Sequence, residues 1–169
     1  MDVGYPSLKQ RICWSPALPP QVRAVLERSG AKLVAGFPDT PRAISADEAI
    51  ANRDRNLGNI LWDGQTATWI DHERALGREG LPDVNKLAAL VTMSGIDDRD
   101  IQRAAVGISL TLGEQAIREA EASCGDLNVS GFAQQVADRL GPLATRVLQR
   151  FPQPHDLFTE GDGTAGGLQ

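Results

Sequence analysis

The chain alternates apolar and polar positions mostly at helical spacing. Val22, Val25 and Leu26 follow Leu18-Pro19-Pro20 and line one face of a helix that opens with proline in its first turn and stops at Gly30. Phe37-Pro38-Asp39-Thr40-Pro41 reads as a rigid loop. Ser45 with Glu48 three residues on has the capping-box pattern, which predicts a short helix through Ile50. The period then changes from helix to strand: Ile60-Leu61-Trp62, a turn at Asp63-Gly64, and Thr66-Ala67-Thr68-Trp69-Ile70 predict a tight β-hairpin. Residues 77–82 read as loop, and Val84, Leu87 and Val91 mark a helix ending near Gly95. A long helix starts at Asp97-Asp98, whose carboxylates suit its positive end. Ile101, Ala105, Ile108 and Leu112 give it an inward face as it runs on to Gly125. Close helix crossing would account for Gly107 and Gly113 inside it. Phe132, Val136 and Leu140 form one more stripe, Pro142 interrupts it, and Leu143, Val147 and Phe151 continue on a following helix. The expected fold class is therefore α+β, mostly helical, in one domain over 1–158. The glycine-rich stretch 159–169 carries too little apolar surface to fold and is expected to be a disordered tail.

The hairpin matters because it returns the chain to where it started. Asn59 stands just before the first strand and Asp71 just after the second, so both fall at the same open end, near the loop that carries Asp54. One or two carboxylates with further oxygen donors suit Mg²⁺, which completes its octahedron with water and phosphate oxygens. The bland alternative is that these are turn residues whose side chains cap backbone amides.

Asn52-Arg53-Asp54-Arg55-Asn56-Leu57-Gly58-Asn59-Ile60-Leu61-Trp62 followed by Trp69-Ile70-Asp71-His72 resembles the catalytic segment of HipA-like kinase domains. More loosely it is similar to the matching loop of phosphatidylinositol-kinase-like enzymes. The likeness spans Asp47 to Leu76, with a loose match upstream at Gly4 to Gln10. It implies the C-terminal, large lobe of a protein-kinase-like fold, with ATP and Mg²⁺ as cofactors. In that scheme a loop Asp orients and deprotonates the accepting hydroxyl, an Asn five residues later ligates magnesium, and a later Asp holds metal and phosphates. Carried over, Asp54 is the catalytic base and Arg55 the basic residue near the transferred phosphate, while Asn59 and Asp71 bind the metal and its nucleotide. His72-Glu73 replaces the Phe-Gly of protein kinases, so nothing of their activation-loop switching carries over. A kinase also covers ATP with a small lobe bearing a glycine-rich loop and a strand lysine. Upstream of Asp54 there is no G-x-G-x-x-G, and Lys9 and Lys32 are the only lysines. The expectation is a large lobe alone, completed by a partner or a longer gene product that supplies the small lobe, or held by an antitoxin-like partner.

Composition narrows the picture further. At 169 residues, 41% hydrophobic and 23% charged, the sequence is that of an ordinary globular domain. A formal net charge of −5 argues against broad nucleic-acid binding, which needs a basic excess. There is no apolar run of about 18 residues to span a membrane and no signal-peptide pattern, so cytoplasm is the expected compartment. Cys13 and Cys124 lack C-x-x-C neighbours and read as reduced structural thiols. Trp62 and Trp69 are expected to pair across the hairpin. His155 reads as a loop residue, and His72 as a neighbour ordering the Asp71 carboxylate. Three functions remain open: a HipA-like phosphotransferase, a catalytically inactive kinase-like binding or regulatory module, and a metal-dependent phosphohydrolase using the same carboxylates.

Overall fold

A computed structural model describes residues 4–76 and 82–152. It is α+β and mostly helical. A short helix α1 (Leu8–Arg11) leads to α2 (Pro20–Gly36) and α3 (Thr40–Ala49); a 3₁₀ turn at Leu57–Asn59 then feeds the strands β1 (Ile60–Trp62) and β2 (Ala67–Trp69). The helices α4 (Lys86–Ser94), α5 (Arg99–Thr111), α6 (Glu114–Ser123), α7 (Ser130–Leu140) and α8 (Leu143–Gln149) complete the described part. Helix α2 packs on α4, α3 packs on α5 and α8, and α6 packs on α7. Leu8, Val34, Ile44, Ile60, Leu87, Val91, Leu143 and Val147 are fully buried where these elements meet. Among the described residues no helix is long and apolar enough to cross a membrane.

Helix α2 differs from its expected course. It runs through Gly30 to Gly36 and buries Gly30, Ala31 and Val34, while Val22 and Val25 stay exposed. Gly30 serves a close approach, because a Cβ there would lie 2.7 Å from Leu57 Cδ1. The side chain of Leu57, next to the Asp54 loop, thus rests directly on the α2 backbone. At the end of α2 the Thr40 hydroxyl donates to the Val34 carbonyl, so the chain turns sharply into α3.

The capping-box reading of Ser45 and Glu48 is corrected by the structure. Helix α3 starts at Thr40, with Pro41 in its first turn, and Ser45 lies buried in its middle. The Ser45 Oγ is 2.8 Å from the Ala105 carbonyl oxygen and 3.1 Å from Ser109 Oγ, so small residues let α3 and α5 meet closely. Glu48 is fully buried and its carboxylate is used elsewhere. The long helix expected from Asp97 to Gly125 is two helices, since the backbone extends at Leu112 and Gly113. Nothing lies within 4 Å of a Cβ built on Gly107 or Gly113, so close crossing does not explain either glycine.

The hairpin forms as expected. Strands β1 and β2 are antiparallel with Ile60 opposite Trp69, Leu61 opposite Thr68 and Trp62 opposite Ala67. Asp63 Oδ1 accepts from the amides of Gln65 and Thr66 at 2.7 Å each, and Gly64 takes a φ of 110°, which glycine adopts without strain. In this register the tryptophans are not opposite each other. Both pack instead around Phe37, with ring centroids 5.8 Å away for Trp62 and 6.5 Å for Trp69. The segment before α1 lies against the outer side of β1, where Trp62 N donates to the Pro6 carbonyl at 3.3 Å. Cys13 and Cys124 are unpaired thiols. The expected loop at 77–81, His155 and the tail at 159–169 lie outside the described residues.

Candidate active site

The loop between α3 and the 3₁₀ turn is built from its ends inward. Helix α3 stops where Ala51 enters the left-handed region at φ 50°, its amide bonding back to the Glu48 carbonyl and that of Asn52 to the Asp47 carbonyl. Asn52 is fully buried: its Nδ2 donates to Asp47 Oδ1 at 3.1 Å, and its Oδ1 accepts from the Asp54 amide at 3.2 Å. The backbone leading to Asp54 is therefore fixed by one amide side chain.

Beyond Asn52 the loop alternates inward and outward. Arg53 and Arg55 are 4% and 1% exposed, whereas Asp54 is half-buried and Asn56 exposed. Arg53 forks onto Glu48, at 3.0 Å from NH1 and 2.9 Å from NH2, and Arg150 of the chain just after α8 forks onto the same carboxylate at 3.0 Å twice. Burial alone would raise the Glu48 pKa, but the hydrogen bonds from Arg150 and then Arg53 outweigh it and hold the carboxylate below its usual range. Asp83 Oδ1 joins both arginines at 2.8 Å, and Arg139 of α7 donates to the carbonyls of Glu48 and Ala49 at 2.9 Å. The loop and the end of α8 are thereby tied to the Glu48 carboxylate of α3, and α7 to the main chain beside it.

Arg55 departs from its expected role. Its Nε and NH2 fork onto Asp47 at 3.0 and 2.7 Å, NH1 reaches the carbonyls of Asn59 and Ile70, and NH2 also lies 2.9 Å from His72 Nε2. A guanidinium has five N–H groups and all five have partners here. None is left for a phosphate, so Arg55 clamps the base of the hairpin. Because Arg55 can only donate, His72 Nε2 accepts and the imidazole is neutral. Partial desolvation and then the Arg55 charge push its pKa below the ordinary value.

Two of the expected site residues meet at the open edge. Asn59 Nδ2 donates to Asp71 Oδ2 at 2.8 Å, with Asn59 nearly buried and Asp71 exposed. Asp71 holds a φ of 63°, a strained conformation for a side chain with a Cβ that costs about 1–2 kcal/mol. Asn59 Oδ1 and Asp71 Oδ1 accept no hydrogen bond from the described residues. One carboxylate oxygen and one amide oxygen suit Mg²⁺, which keeps several waters and takes few protein ligands. No cluster of three His, Cys, Asp or Glu side chains that could cage a metal occurs among the described residues.

Asp54 is paired with two cations that sequence reading missed. Lys86 Nζ, from the first turn of α4, lies 2.9 Å from Asp54 Oδ1, and Arg74 NH1 lies 3.1 Å from Oδ2. The hydrogen bond from Lys86 is the main cause that lowers the Asp54 pKa, so the carboxylate is ionised at neutral pH. Arg74 follows Asp71 by three residues and could have been suspected from that. Lys86 carries no local signal, because it reaches Asp54 only once α4 is packed. Its helix start is fixed by Asn85, whose Nδ2 donates to the Ile44 carbonyl at 3.0 Å and whose Oδ1 caps the Ala88 amide at 3.2 Å. Compared with known proteins, the chain matches no family model, no curated protein and no solved structure.

Proposed function

We propose that this chain carries the acceptor and metal side of a phosphotransferase active site in a kinase-like large lobe, transferring the γ-phosphate of ATP to a hydroxyl. The observation that carries the reading is the Asn59–Asp71 pair, held at 2.8 Å at the open end of the hairpin with oxygens to spare. Asn59 and Asp71 are the residues to hold Mg²⁺ and, through it, the nucleotide phosphates. When bound, the metal neutralises phosphate charge as the phosphoryl group moves.

The chain's own residues then divide the remaining work. Asp54 Oδ1 and Oδ2, ionised and half-buried, accept the hydrogen bond of the acceptor hydroxyl and orient its oxygen. Lys86 takes the part that the resemblance gave to Arg55, a cation next to the base where phosphate charge must be met. Arg55 and Arg53 hold the loop so that Asp54 stays in place. Positioning and fixed charge supply most of the catalysis in phosphoryl transfer, so this rigidity supports the reading. The cover over the nucleotide is the part to be supplied by a small-lobe-bearing partner or further chain.

A second reading, an inactive binding module, is favoured by one observation: both Asp54 oxygens are already paired, to Lys86 and Arg74. A turnover assay with radiolabelled γ-phosphate, comparing the chain with Asp54→Asn, separates the two. The first reading expects transfer or slow hydrolysis that falls by at least about a hundredfold in the variant. An equal rate in both proteins removes Asp54 from any mechanism and leaves the module.

A further inference from the structure

Beside the Asp54 loop lies a cavity of about 500 Å³, within the usual range for small-molecule sites. Trp14, Leu57, Leu90 and Met93 give it a largely apolar wall, and Lys86, the partner of Asp54, lines it as well. Three further charged residues line it: Arg55, whose donors are already taken, Lys9 and Glu27. Lys9 and Glu27 are kept apart by an indole. Lys9 Nζ sits 4.0 Å above the Trp14 ring centroid, and Trp14 Nε1 donates to Glu27 Oε1 at 2.9 Å. Neither Lys9 nor Glu27 forms an ion pair with another described residue, in contrast to the saturated charges at Glu48 and Asp47. The half-buried Lys9 ammonium has only an indole face beside it and the half-buried Glu27 carboxylate only an indole N–H, so each lacks a counter-charge.

We propose that this cavity binds a free amino acid bearing a hydroxyl group, its carboxylate on Lys9, its ammonium on Glu27 and its side chain along Leu57, Leu90 and Met93. Opposite charges on one small molecule satisfy both groups at once, and the volume leaves room for a side chain of aromatic size. The hydroxyl part rests on the proposed role of Asp54, to which the cavity is linked through Lys86, a lining residue and the partner of that carboxylate. The zwitterion part rests on the cavity alone.

The test is a calorimetric titration of the full chain, without nucleotide or Mg²⁺, using L-tyrosine as aromatic probe and L-homoserine as aliphatic probe. Saturable binding of at least one is expected. Its N-acetyl derivative, which lacks the ammonium, and its methyl ester, which lacks the carboxylate, should each bind at least about tenfold more weakly. Glu27→Gln should weaken the free amino acid but leave the N-acetyl derivative unchanged, and Lys9→Met should do the same with respect to the methyl ester. Circular dichroism of both variants checks that they fold. Absence of binding by both probes overturns the proposal. So does a methyl ester that binds as well as the free acid, which would point to a peptide N-terminus. Since nucleotide is left out, binding with these signatures in a chain that shows no Asp54-dependent turnover would keep the zwitterion site and remove the acceptor role of the hydroxyl.

Discussion

Adjacent residues of one loop, Arg53 and Arg55 on the one hand and Asp54 on the other, behave as two different materials. The arginines are buried, forked onto Glu48 and Asp47, and Arg55 has no donor left over. Asp54 is half-buried and held only by partly exposed cations, and across the site Asp71 retains an oxygen without a partner. A saturated buried charge is a fastener. A charge with unused capacity at an open edge is available to a ligand. Basic character near a phosphate site is thus a poor guide to function until the donors have been counted.

Removing a fastener should have the largest effect. Glu48→Ala leaves Arg53 and Arg150 without their shared carboxylate, and should cost about 3–5 kcal/mol in urea unfolding, enough to prevent folding of a marginal domain. Arg55→Met strands Asp47, which is 1% exposed, and should cost about 3 kcal/mol by the same measurement. A loss below about 1 kcal/mol in either variant would erase the contrast drawn here. Next comes pH. His72 has a depressed folded-state pKa, so its contribution to stability is fully present above its ordinary value of 6.5 and is lost as pH falls through the folded value. Unfolding free energy should therefore decline with acidification below pH 6.5, and His72→Gln, which can still accept from Arg55, should flatten that part of the profile. An unchanged profile would mean that His72 is not coupled to the arginine. The smallest effect on stability belongs to Asp54→Asn, within about 1 kcal/mol of the parent because its ion pairs are partly exposed. A larger loss would class Asp54 with the fasteners.

Local chemistry made part of this legible in the sequence. The hairpin declared itself through Asp63-Gly64 between short apolar runs, and with it the meeting of Asn59 and Asp71. The stripes of α4, α7 and α8 point inward at Leu87, Val91, Val136, Leu143 and Val147, while Val84 and Phe132, assigned to the same stripes, are exposed. What was misread is tertiary. Gly30 looked like a helix stop, but Leu57, far along the chain, is what demands a missing Cβ there. Ser45 and Glu48 looked like a cap because three-residue spacing also occurs inside a helix, where long-range partners at Ala105 and Arg150 decide their use. Lys86 stands 32 residues from Asp54 and Arg150 stands 102 from Glu48, so neither pairing leaves a local trace.

In the proposed function the open edge at Asn59 and Asp71, and not the arginine clamp behind it, holds metal and nucleotide. Calorimetric titration of the purified chain with ATP, with and without Mg²⁺, tests it most directly when repeated on Asp71→Ala. Heat of binding that requires Mg²⁺ is expected in the parent and is expected to disappear in a variant of unchanged fold. Metal-dependent binding of equal strength in Asp71→Ala, or no binding to the parent at millimolar nucleotide, would contradict that role of the edge.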